Sequence, residues 1–147
     1  MAQLTREQIK EILPHREPML LVDEVHDNDD GTVTGSYTVR GDEYFLQGHF
    51  PDNPIVPGVI LCEMAAQCSC LLMADKIAGK ATLYAGMNNV KFKNPDRPGD
   101  TVEFTCAAIR SIGPFHFMKA EGRNNGKIAV SGEFSFALVD KEKAKLN

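Results

Sequence analysis

Hydrophobic and polar positions change their period several times along this chain, and each change marks an element. In GTVTGSYTVR, Val33, Gly35, Tyr37 and Val39 alternate with Thr32, Thr34, Ser36 and Thr38, the period of two expected of a strand with one wet face. The same period returns in IAVSGEFSFALV, with Ile128, Val130, Phe134, Phe136 and Leu138 on one side. LYAGMNNVKF, TVEFTCAAIR and FHFMKAEG read as further strands, separated by the turns NPDRPGD, SIGP and RNNG. MLLVDEV is another strand candidate and runs into the Asn/Asp/Gly-rich turn HDNDDG.

Two stretches follow the helical period instead. From Thr5 to Ile12, Arg6, Glu7, Lys10 and Glu11 surround Leu4, Ile9, Ile12 and Leu13, which predicts a short amphipathic helix capped by Thr5 and ended by Pro14. From Val59 to about Ala78 there is no Pro or Gly, and Ala, Leu, Met and Cys dominate, which predicts a long helix. That helix is apolar nearly all round, so the rest of the chain must enclose it. The order of short helix, two strands, long helix and four strands predicts an α+β architecture in which an antiparallel sheet curves around one central helix. With 147 residues and no linker-like stretch, one domain spanning 1–147 is expected.

Composition narrows the function classes. An apolar fraction of 43% with 24% charged residues is ordinary for a chain with a real core, and only the KEKAKLN tail reads as unstructured. The formal charge of −4, with scattered basic residues, gives no general reason to bind nucleic acid. The N-terminus lacks the basic-then-apolar order of a signal peptide, and Glu63, Gln67 and Ser69 interrupt the longest apolar segment, so a cytoplasmic protein without membrane insertion is expected. Cys62, Cys68, Cys70 and Cys106 show no metal-site spacing and are expected to be buried free thiols.

The candidate chemistry lies in GHFPDNPIVPGVILCE, residues 48–63. Glu63 stands among Val59, Ile60, Ala66 and Gln67 on the long helix. A carboxylate there must be paired, protonated, beside a wetted cavity, or able to reach solvent through a gap. Gln67, one turn on, is a ready partner. His49 sits between Gly48, which permits unusual dihedrals, and Phe50-Pro51, where proline fixes one, so its imidazole is expected to be held in one direction, although a lone loop histidine serves equally as a structural or exposed residue. Pro57 and Gly58 open the helix, where an unshielded N–H at the positive end of the dipole can polarise a carbonyl or simply start a helix. An imidazole, a carboxyl and such an N–H together suit removal of a proton alpha to a carbonyl while a beta substituent leaves.

LPHREPMLLVDEV, GHFPDNPIVPGVILCEMAAQ and VKFKNPDRPGD closely resemble the 3-hydroxyacyl-[acyl carrier protein] dehydratases of bacterial type II fatty acid synthesis, over nearly the whole chain. The resemblance implies a hotdog fold and an active site at a dimer interface, where the histidine of one subunit faces the glutamate of the other. His49 would then take the alpha proton of a 3-hydroxyacyl thioester, Glu63 would protonate the departing hydroxyl, and the Gly58 N–H would hold the thioester oxygen. Phe50, Pro57, Val59, Gln67, Leu83 and Tyr84 would line the substrate tunnel, and burial would raise the Glu63 pKa to keep it protonated. The related dehydratase/isomerases carry aspartate where this chain has Glu63, so simple dehydration is implied. Two departures stand out: Asp52-Asn53 replaces the family's Gly-Lys, and Leu83 takes the place of a tyrosine that gates the tunnel in several members.

The same resemblance implies an acidic acyl carrier protein as partner, delivering substrate on phosphopantetheine, with no cofactor or metal and a hexamer built as a trimer of dimers. Docking on a net-negative chain requires a local basic rim, for which Arg16, Lys91, Lys93 and Arg97 are candidates. A hotdog thioesterase and a non-catalytic subunit of a heteromeric dehydratase are the rival readings. The second usually lacks the histidine or the carboxyl, and this chain has both.

Overall fold

The computed structural model describes residues 3–142, so most of the KEKAKLN tail lies outside the described residues. Seven antiparallel strands form one sheet: β1 (Gln3–Leu4), β2 (Glu24–Asp27), β3 (Val33–Thr38), β4 (Lys80–Phe92), β5 (Thr101–Ile112), β6 (Phe115–Asn124) and β7 (Lys127–Asp140). Their spatial order is β1-β2-β3-β5-β6-β7-β4. Helix α1 (Arg6–Lys10) is short, and α2 (Gly58–Cys70) packs against β3, β4, β5, β6 and β7.

The expected alternation holds in β3, where Val33, Gly35 and Tyr37 are buried and Thr34, Ser36 and Thr38 are not. In β7, Val130, Phe134 and Phe136 are buried, while Ile128 and Leu138 are half-buried. Gly35 lets α2 approach the sheet closely, because a Cβ at that position would collide with Cys68 Sγ. All four cysteines are buried free thiols, as expected. Among the described residues no helix is long and apolar enough to cross a membrane.

Besides the added two-residue strand β1, three elements differ from expectation. The long helix ends at Cys70 and tightens into a 3-10 turn over Leu71–Met73 instead of running to Ala78. A continued α-helix would place Leu71 and Met73 about 200° apart, whereas the tighter path buries Leu71, Met73 and Ile77 together. In MLLVDEV, residues 19–23 are not a strand, and β2 instead takes in His26 and Asp27 from the expected turn. Side chains supply the backbone bonds that a neighbouring strand would have made: Gln67 accepts from Leu21 N at 2.8 Å and donates to Met19 O at 2.7 Å, and Arg6 donates to Leu20 O and Val22 O. Third, the N-terminal helix has only five residues. Thr5 does cap it, through a reciprocal box with Gln8.

Strand β4 contrasts with every other long strand. It ends the sheet, none of its thirteen residues is buried, and Leu83, Tyr84, Met87 and Phe92 are all exposed. An unpaired, apolar edge of this length is a template for another strand.

Candidate active site

His49 lies in the loop between β3 and α2, between two residues of left-handed backbone, Gly48 (φ 84) and Phe50 (φ 57). Phe50 bears a strain of about 1 kcal/mol there. The imidazole is half-buried, and its Nδ1 is 2.9 Å from the Ile55 carbonyl oxygen. A carbonyl can only accept, so Nδ1 carries a hydrogen, and in the neutral imidazole Nε2 is then the nitrogen with the lone pair. This is the tautomer a general base needs. His49 shares a cavity of about 390 Å³ with Ile55, Gly58, Leu61, Phe92 and Lys93. Gly58 is the first residue of α2, capped by Pro57, so its N–H has no intrahelical acceptor. The Phe92 ring packs so close that a Cβ on Gly58 would sit 3.0 Å from it.

Glu63 lies one and a half turns further along α2 and lines a different cavity, of about 110 Å³, with Leu13, Pro14, His15, Gln67, Cys70 and Tyr84 among its walls. The two cavities share no residue. Glu63 Oε2 accepts from Gln67 Nε2 at 2.9 Å and lies 3.5 Å from His15 Nε2. Burial, the largest influence, pushes the Glu63 pKa up, but the His15 and Gln67 donors facing Oε2 outweigh it, leaving the carboxyl below its ordinary value. Against the expected rise, the shift in the single chain is downward, because donors 48 and 4 positions away in sequence offset the burial.

Of the other expected substrate contacts, Gln67 and Tyr84 line the Glu63 cavity, with Tyr84 Oη donating to Cys62 O at 3.2 Å. Phe50, Val59 and Leu83 point outward, at 56%, 74% and 45% exposure, and line neither cavity, nor does Pro57. Among the expected basic residues, Lys93 borders the His49 cavity. Arg16 turns its guanidinium onto the carbonyls of Leu13, His15 and Lys10, and Arg97 reaches Asn53 at 3.4 Å. His15 was not among the expected site residues. It lies just past the end of the first helix, where no periodicity points to a cavity.

The structure thus places the His49 imidazole and the Gly58 N–H in one cavity and the Glu63 carboxyl in another. Residues 25–133 match the model of the ApeI-like family, described as ApeI dehydratase. A 3-hydroxyacyl-[acyl-carrier-protein] dehydratase FabZ from Clostridium perfringens is 43% identical over 133 residues, covering 89% of this chain and 96% of that protein. The chain belongs to this dehydratase family. Among solved structures, the dehydratase heterocomplex ApeI:P from Xenorhabdus doucetiae matches with a TM-score of 0.79 at 20% identity, over 92% of this chain and 93% of that one. A thioesterase from Haemophilus influenzae matches with a TM-score of 0.69 at 14% identity, over 93% and 92%. At such identities the likeness is one of fold, here the hotdog fold, which these dehydratases and thioesterases share.

Proposed function

We propose that the protein dehydrates 3-hydroxyacyl-[acyl carrier protein] to trans-2-enoyl-[acyl carrier protein] in fatty acid biosynthesis, at a site built by two copies of the chain. The observation that carries this reading is the contact of His49 Nδ1 with the Ile55 carbonyl, which leaves Nε2 to act as the base in a cavity that His49 shares with the helix-opening Gly58. His49 Nε2 takes the alpha proton while the Gly58 N–H stabilises the charge that gathers on the thioester oxygen. The bond between Cβ and oxygen then breaks, and Glu63 gives its proton to the departing hydroxyl, which leaves as water. Both protons are carried by side chains, so the reaction calls for no cofactor. The acyl chain arrives on the carrier's phosphopantetheine.

A second copy supplies the missing juxtaposition. Thr82 and Tyr84 of β4 line the Glu63 cavity, and Phe92 at the other end of the same strand lines the His49 cavity. Antiparallel pairing of two β4 edges about a twofold axis brings the Phe92 end of one copy against the Tyr84 end of the other. The His49 cavity of one copy then opens toward the Glu63 of its partner. Covering Leu83, Met87 and Phe92 also removes an apolar edge from water.

The competent enzyme holds one proton between His49 and Glu63, on the carboxyl for dehydration and on the imidazole for the reverse hydration. The rate therefore falls on the acid side where a second proton binds and on the alkaline side where the single proton is lost. The direct test follows enoyl absorbance as water adds to an enoyl thioester, with a thiol trap alongside. Loss of enoyl absorbance without thiol release is the expected outcome. Thiol release would make the protein a thioesterase, and the absence of either reaction would make it a binding subunit.

A further inference from the structure

We propose that His15 is a positioning residue for the acid of this reaction: with Gln67 it fixes Oε2 of Glu63, leaving Oε1 as the oxygen that exchanges the proton with the substrate's beta oxygen. The inference rests on the dehydratase reading. Its geometry does not. His15 Nε2 faces Glu63 Oε2 at 3.5 Å, and Gln67 Nε2 donates to the same oxygen at 2.9 Å. His15 Nδ1 is buried and has no hydrogen-bond partner. A hydrogen on Nδ1 would have no acceptor, so Nε2 carries the imidazole hydrogen and turns it toward the carboxylate oxygen 3.5 Å away. Glu63 Oε1, by contrast, makes no hydrogen bond to any described residue.

Both partners of Glu63 are themselves held. Gln67 is anchored by Leu21 N and Met19 O, and the His15 backbone oxygen accepts from Arg16 at 2.6 Å. The loop that MLLVDEV forms instead of a strand is thus the frame of the acid. Two donors on one oxygen stabilise the ionised form, which makes the proton on Oε1 easier to give up and rarer at neutral pH. The other titratable walls of the cavity, Cys70 on α2 and Tyr84 on β4, do not compete for this proton. Burial pushes the Cys70 thiol up to about 12 and the Tyr84 phenol higher still.

The test combines His15→Ala and His15→Gln with pH–rate profiles and a carboxyl NMR titration. The alanine variant should lower kcat about tenfold, with KM changed less than about twofold, and move the acid limb of the profile up by roughly half to one pH unit. Glutamine restores an N–H donor and should bring the limb back to within about 0.3 pH unit of wild type. Carbon-13 labelling of glutamate carboxyls, with the Glu63 signal assigned by its loss in Glu63→Gln, reads the same shift without turnover. An unmoved Glu63 titration in a folded His15→Ala protein overturns the inference whatever the activity. An inactive wild type whose Glu63 titration nevertheless shifts in His15→Ala would sink the dehydratase reading and leave the pairing intact. Thermal melting and size-exclusion profiles matching wild type show that the alanine variant is folded.

Discussion

The His49 and Glu63 regions hold their reactive groups in opposite ways. His49 sits on a strained loop and is oriented by one backbone carbonyl, whereas Glu63 stands on an enclosed helix and is set by two side chains, one of them reaching in from a distant loop. The role proposed for His49 needs only the right nitrogen free, which one local bond to Nδ1 favours. The acid needs a tuned affinity for its proton, and that requires a balance of burial against donors.

Removing either group is the most severe way to break this comparison. His49→Ala and Glu63→Gln should each cost ~2 to 4 orders of magnitude in kcat while the fold persists. Near wild-type turnover from either variant would remove its role.

Mixing the two variants sharpens the comparison. If each site takes His49 from one copy and Glu63 from another, random heterodimers carry one intact site in two. A refolded equimolar mixture should then recover about a quarter of wild-type activity from two inactive parents. No recovery, with exchange of subunits verified by mass spectrometry, would put both residues of a working site in one chain.

Gly58→Ala probes the His49 cavity more gently. The added Cβ would lie 3.0 Å from the Phe92 ring and crowd the N–H proposed to hold the thioester oxygen. A fall in kcat of roughly tenfold with an unchanged acid limb is expected. Movement of that limb would mean the two cavities are coupled.

The smallest effect concerns a second carboxyl, Asp96, whose surroundings are the reverse of those of Glu63. It is fully buried, neither of its oxygens has a hydrogen-bond partner, and its backbone carbonyl accepts from Val56 N at 2.9 Å, close to the His49 loop. Burial and the charge of Asp100 push its pKa from 3.8 up to about 6, against the softening influence of the Asn124 amide. A raised carboxyl pKa means the native state holds its proton longer than the unfolded chain. Asp96 therefore costs nothing below pH 3.8 and destabilises progressively as pH rises from 3.8 toward 6. Asp96→Asn should raise stability by up to ~2 kcal/mol at pH 7.5 and much less at pH 4, read as the difference in thermal midpoint. Glu63 has the opposite sign: its lowered pKa contributes stability above its unfolded value, and that contribution is lost as pH falls through the folded one.

Much of this was legible in the sequence where the signal is local. The alternation in β3 and the run without Pro or Gly after Gly58 predict a sheet around an apolar helix, because side-chain period and exposure follow directly from backbone geometry. The pair His49 and Glu63, with Gly58 between them, was legible as candidate chemistry from residue type and spacing. The misreading of residues 19–23 as a strand is instructive. Leu20, Leu21 and Val22 are buried as a strand would bury them, but their backbone is satisfied by Gln67 and Arg6, and no periodicity records a side chain that replaces a neighbouring strand.

The sequence by itself therefore determined the architecture and the inventory of reactive groups, since both are written in short-range patterns of polarity and in residue chemistry. Only the tertiary structure decided that His49 and Glu63 line separate cavities joined by an exposed edge strand, that His49 Nδ1 meets the Ile55 carbonyl, and that His15 and Gln67 offset the burial of Glu63. Those outcomes depend on distances between segments far apart in the chain, and electrostatic and hydrogen-bond energies depend on such distances, not on sequence order.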